Sequence, residues 1–88
     1  MLSDKHIASG KERVLLIDDI KAAVHAAASG NQKIAMFHFQ VLKNATALEG
    51  LNAEAFCQEI GVPASYRTEF TKMIGLARLM SEQGVRLV

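Results

Sequence analysis

Apolar side chains recur along this chain at three- and four-residue steps, in stretches that end at single glycines. That pattern points to packed helices. Leu16, Ile20, Ala23, Val24 and Ala27 form one stripe ahead of Gly30, with Asp18 and Asp19 on the opposite side. Tyr66, Phe70, Met73, Ile74, Ala77 and Met80 form another, and Ser81-Glu82-Gln83-Gly84 ends it. Half of the 88 residues are apolar and only one is proline, a composition that buries too much to stay disordered. The length suits one helical domain, residues 1–88, burying roughly 60–65% of its unfolded surface. No run of about 18 uncharged apolar residues occurs, so no membrane span is expected. The first residues lack the basic start and apolar core of a signal peptide. The single Cys57 cannot close an internal disulfide, which points to a reducing cytoplasm.

The stripes and their punctuation define the elements. Residues 1–8 read as a loose N-terminal arm, and Lys5, Lys11 and Arg13 make that end mildly basic. Ser9-Gly10-Lys11-Glu12 has the form of a capping box that opens a helix. A competing reading makes Arg13–Ile17 a strand, with Asp18 or Asp19 capping a shorter helix. Gly30 is a helix stop and Asn31 a cap for the next helix. Lys33–Lys43, KIAMFHFQVLK, alternates as a strand does at Ala35, Phe37, Phe39 and Val41, yet Ile34, Phe37, Val41 and Leu42 fit a helix face. Helix is favoured, because helical patterns flank it and no hairpin partner is evident. Being apolar almost all round, it is the core element or faces a second subunit.

Asn44–Gly50 reads as a helix end and a loop. Asn52 caps a short helix over 53–60, Leu51 and Phe56 form a hydrophobic staple across that cap, and Glu54 sits where the helix dipole favours it. Gly61 ends this helix. Pro63 then takes a first helical position, or Ser65 is the next cap. Val85–Val88 is a short apolar tail. The expected fold is all-α, a small bundle of four or five helices.

Phe56, Cys57 and the run Ile60-Gly61-Val62 set an apolar residue, a small residue, then apolar-Gly-apolar across a turn. Phe70 follows at a buried position of the next helix. On these residues Ala53–Lys72 resembles the helix-turn-helix of bacterial and phage DNA-binding proteins, within a C-terminal unit spanning 52–83. Arg67 stands near a place where that family buries an aliphatic residue, and Pro63 where it often has Ser or Thr. A turn longer by one residue places Tyr66 in the core and turns Arg67 outward. The resemblance implies a transcriptional regulator that reads the major groove with the helix after Gly61. Its outward face carries Ser65, Arg67, Thr68, Thr71 and Lys72. Arg67 can make two hydrogen bonds to a guanine edge, and the hydroxyls and Lys72 hold phosphates. Ala64 can touch a thymine methyl. Glu69 repels phosphate unless it accepts from a cytosine amine or orients Arg67.

A reader with a net charge of +1 binds weakly as a monomer, so a homodimer on double-stranded DNA is expected. Val14–Ile20 and Ile34–Leu42 are apolar enough to form its interface, or to form one compact core instead. The charge does change sign at the turn. Glu49, Glu54 and Glu59 precede it without Lys or Arg over 44–61, while Arg67, Lys72, Arg78 and Arg86 outnumber Glu69 and Glu82 after it. The near-neutral whole, the acidic half and the apolar surplus support an alternative: a protein–protein interaction module such as an adaptor, immunity protein or inhibitor. An enzyme is not expected, nor a metal or other cofactor. His6, His25, His38 and Cys57 lack metal-ligand spacing, and no phosphate-cradling glycine loop occurs. On a helix Asp18 and Asp19 point about 100° apart, so they form no acid pair. His38 reads as a buried or interface histidine, and Cys57 as a small core residue.

Overall fold

The computed structural model describes residues 10–85, with side chains from Leu15 onward. Five α-helices follow one another: α1 (Gly10–Ala27), α2 (Lys33–Lys43), α3 (Ala45–Leu48), α4 (Ala53–Ile60) and α5 (Tyr66–Glu82). No strand occurs among the described residues. The all-α bundle expected from the stripes is therefore the observed fold. The basic arm, the Ser9–Glu12 capping box and the last residues of the apolar tail lie outside the residues so described.

α1 runs unbroken through Arg13–Ile17, so the strand alternative there is not adopted. Its stripe is inward: Ile20 and Val24 are fully buried, while Asp18 and Asp19 face out. α2 is a helix, which settles the ambiguity of KIAMFHFQVLK. It packs against α1 and α5, and α4 packs against the same two helices. Phe37 and Val41 of α2 meet Leu48 of α3, Phe56, Cys57 and Ile60 of α4, Val62 of the turn and Phe70 of α5 in one core. The aromatic rings form a chain. Phe37 stands edge-on to Tyr66 at 5.0 Å and tilted to Phe56 at 6.1 Å, and Phe56 meets Phe70 at 4.8 Å. Full burial of a ring such as Phe37 stabilises the fold by about 1.5–3 kcal/mol.

The inward side chains of Ile34–Leu42 and of the α1 stripe thus fill one compact core. That was one of the two roles expected of them. Ile34 and Phe39 nevertheless stay exposed, at 39% and 44%.

Two local expectations are corrected. Asn31 does not cap α2. A 3-10 turn, Ala28–Gly30, follows α1, and Asn31 closes it in the left-handed conformation (φ 60°), its N–H bonding to the Ala28 carbonyl. Asn is among the few residues with a β-carbon that tolerate this conformation, so Asn31 does the stopping that Gly30 was expected to do. Asn44–Gly50 is not a plain loop either. Ala45–Leu48 makes one helical turn because Leu48 has a fully buried place in the core to reach. Asn44 Nδ2 donates to the Gln40 carbonyl at 2.9 Å, which satisfies the end of α2.

Candidate nucleic-acid interface

α4 starts as its sequence requires. Asn52 Oδ1 accepts from the Ala55 N–H at 2.9 Å, Glu54 sits in the first turn, and Leu51 packs on the core. It ends at Gly61, whose φ of 80° lets the chain reverse. The Val62 N–H bonds the Cys57 carbonyl at 3.1 Å and the Gly61 N–H bonds the Gln58 carbonyl at 3.2 Å. This pairing is a Schellman closure, and Val62 is buried beyond it. His25 of α1 completes the corner: its Nε2–H donates to the Ile60 carbonyl at 2.8 Å. One of the carbonyls that a helix end leaves orphaned is thereby satisfied from another helix.

Gly61–Ser65 links α4 to α5. The Tyr66 N–H bonds the Pro63 carbonyl at 2.9 Å and the Arg67 N–H bonds the Ala64 carbonyl at 3.0 Å, so the chain is already turning before α5 starts at Tyr66. Ser65 holds the cap position, but its hydroxyl makes no cap hydrogen bond, and Pro63 precedes the helix instead of entering it. Tyr66 is half-buried against Phe37 while Arg67 is exposed, the exchange that a lengthened turn produces.

Ser65, Arg67, Thr68, Thr71 and Lys72 are all exposed. By the 100° step of a helix, Arg67, Thr71, Thr68 and Lys72 fan across about 140° of the α5 surface. Arg67 is at the α4 edge of this fan. Its Nε donates to the Ala64 carbonyl at 3.1 Å and its guanidinium lies 3.9 Å from Glu54. Both side chains of that pair are more than half exposed, so it is worth little and opens readily. Glu69 is drawn to the opposite edge. His38 Nε2 of α2 donates to Glu69 Oε1 at 2.7 Å, and Lys72 Nζ lies 4.0 Å from Glu69 Oε2. The carboxylate that would face phosphate is thus turned toward α2, and it does not orient Arg67.

The fold also brings up cations that local sequence did not suggest. Lys33 of α2 places Nζ 6.0 Å from the Tyr66 ring, beside the start of α5. Lys21 of α1 lies over the turn, within 4.0 Å of the position that a β-carbon on Gly61 would take. Both come from helices distant in sequence, and no local pattern marks them.

Cys57 sits under this corner at 2% exposure, the small residue that lets α4 pack closely. Burial pushes its thiol pKa up, against a smaller lowering by the Arg67 charge. Among the described residues no group of three or more His, Cys, Asp or Glu could hold a metal ion. None of the described helices is long and apolar enough to cross a membrane.

A glycine-turned helix pair on a three-helix core defines a helix-turn-helix build. Residues 14–83 match the model of the family described as HTH-like domain, and the chain belongs to that family. No curated protein and no solved structure matches it.

Proposed function

We propose that this chain is a small, non-enzymatic DNA-binding transcriptional regulator of bacterial or phage type that acts in the cytoplasm and reads the major groove with α5. The observation that carries the reading is the outward face of the first turns of α5. With Ser65 just before the helix it holds two cations and three hydroxyls, and His38 pulls its one carboxylate aside. Arg67 gives up its loose contact with Glu54 to take a guanine edge, where two hydrogen bonds are available. Ser65, Thr68, Thr71 and Lys72 hold phosphates and fix register. Lys33 beside Tyr66 and Lys21 over the Gly61 turn add positive charge near the start of α5.

The test is a titration of duplex DNA at two salt concentrations, followed by selection of a preferred sequence. Affinity is expected to fall steeply with salt, because each neutralised phosphate releases counterions. Arg67→Ala is expected to weaken specific binding by about 1–3 kcal/mol and relax the preference at one base position. Absence of binding at low salt removes the DNA reading. In its place stands the protein–protein module, which the exposed Phe39, Leu76 and Leu79 favour and whose apolar contact salt leaves nearly unchanged.

A further inference from the structure

Glu69 is the carboxylate of the first turns of α5, and its two oxygens have different partners. By the 100° step it stands about 60° beyond Lys72, on the side away from Arg67 and Thr71. Its Oε2 lies 4.0 Å from Lys72 Nζ, and its Oε1 accepts from His38 Nε2 of α2 at 2.7 Å. Lys72 is also the cation that the DNA reading gives to phosphate, so Glu69 and phosphate compete for it. When Lys72 turns to phosphate, Glu69 keeps His38. What that leaves depends on the imidazole. A carboxylate only accepts, so Nε2 carries a hydrogen in the neutral ring and in the charged one. The second proton goes to Nδ1; the hydrogen bond stands either way and only the charge changes. The two side chains are 32% and 29% exposed, which leaves the pair open to exchange protons with solvent.

The charges that face His38 come from α5: Glu69, with Lys72 behind it. Among the described residues, the charged groups of the other elements packed on α2 are placed elsewhere. α3 and the Ala28–Gly30 turn contain no titratable side chain. On α1, Asp18 and Asp19 face out, Lys21 lies over the Gly61 turn, and His25 is bonded to the Ile60 carbonyl. On α2 itself, Lys33 lies by the Tyr66 ring and Lys43 over the Phe39 ring.

We propose that His38 is a positioning residue whose protonation neutralises Glu69 and frees Lys72 for phosphate, so that DNA binding by α5 takes up a proton. The inference rests on the DNA reading above. Histidine changes its charge between about pH 5 and 8, a range in which the phosphates of DNA keep theirs. With His38 neutral, the complex holds an uncompensated carboxylate beside the phosphate contacts. With His38 charged, the pair is neutral overall. Affinity therefore rises as pH falls.

The test is the affinity of the full chain for a random-sequence duplex between about pH 8 and pH 6, at one low salt concentration. Wild-type affinity is expected to rise about fourfold as pH falls, the effect of one charge about 5 Å away in water. His38→Gln keeps a donor for Glu69 but cannot take the charge, so it is expected to bind throughout as the wild type does at the high-pH end. Glu69→Gln removes the competitor and is expected to bind at the high-pH end as tightly as the wild type does at the low-pH end. Adding His38→Gln to the Glu69→Gln protein should then cost little at low pH, against the fourfold loss of about the same size as above when Glu69 is present. Circular dichroism checks that each variant keeps its helices; if the His38 variant does not, the wild-type profile and Glu69→Gln decide. A wild type that binds DNA equally well across the range overturns the proposal and leaves the DNA reading standing. So does a His38→Gln protein whose affinity still rises, which would lay the effect on His6 or His25. An equal loss from His38→Gln with and without Glu69 also overturns it, since His38 would then meet phosphate itself. Absence of binding at every pH removes the DNA reading, and this inference with it.

Discussion

Gly61 holds φ at 80°, where a residue with a β-carbon is strained by about 1–2 kcal/mol. An added methyl would also stand 3.4 Å from His25 Nε2, the atom that closes the end of α4. Gly61→Ala is therefore expected to destabilise the protein by about 1–2 kcal/mol in urea denaturation, with the slope of the transition unchanged. The glycine was evident in the sequence from its place between Ile60 and Val62. His25 was not, because its bond to Ile60 spans 35 residues and nothing near it in the chain announces a partner. Cys57 carries a second residue-scale expectation. Its raised pKa keeps the folded thiol protonated where an unfolded one ionises. A thiol reagent at neutral pH should label the native protein far more slowly than the urea-unfolded chain. The sign also fixes the effect on stability. The contribution of the neutral buried thiol is intact below the pKa of the unfolded thiol, about 8.5, and is lost as pH rises from there through the folded value.

At the scale of the element, α4 is the helix whose limits the sequence states most fully. Asn52 caps it and Gly61 stops it, as local chemistry predicts, and Leu51 and Phe56 both pack into the core. With only eight residues it has little helical stability of its own, so each end matters. Asn52→Ala leaves the Ala55 N–H without its acceptor and should cost about 1 kcal/mol, measured as a lowered urea midpoint. Fast amide exchange at Ala55 in that variant would locate the loss. α2 and α3 were less legible. The alternation in KIAMFHFQVLK fits two periods at once, and only packing against both α1 and α5 decides for helix. α3 has no cap and no stripe; it exists because Leu48 reaches the core, a long-range fact. α5 shows a different limit. Its buried stripe and its polar face were plain, but Lys33 and His38, which shape that face from α2, were hidden by the same ambiguity of α2.

Over the whole molecule, the helix-turn-helix is held by rings and aliphatic groups that lie outside it. Tyr66 rests on Phe37, Phe56 meets Phe37 as well as Phe70, and the core around Ile60 includes Ile20, Val24 and Val41 from α1 and α2. We therefore propose that the chain folds as one domain and that its C-terminal half is not an independent unit. A peptide covering residues 50–85 keeps the Asn52 cap, the Gly61 turn and the whole of α5. It loses Phe37, and it loses the His25 bond to the Ile60 carbonyl. Chains below about 40 residues rarely bury enough to fold without a disulfide, a metal or a partner, and isolated helices of this length are marginal in water. The peptide is thus expected to show weak helical circular dichroism and a broad, non-cooperative melt, while the full chain melts in one transition. Adding a second peptide, residues 10–45, should restore cooperative helicity if α1 and α2 supply the missing core. A 50–85 peptide that is fully helical and melts sharply alone would show the opposite: the turn and α5 would be a self-sufficient reader, and α1 and α2 would be only its support.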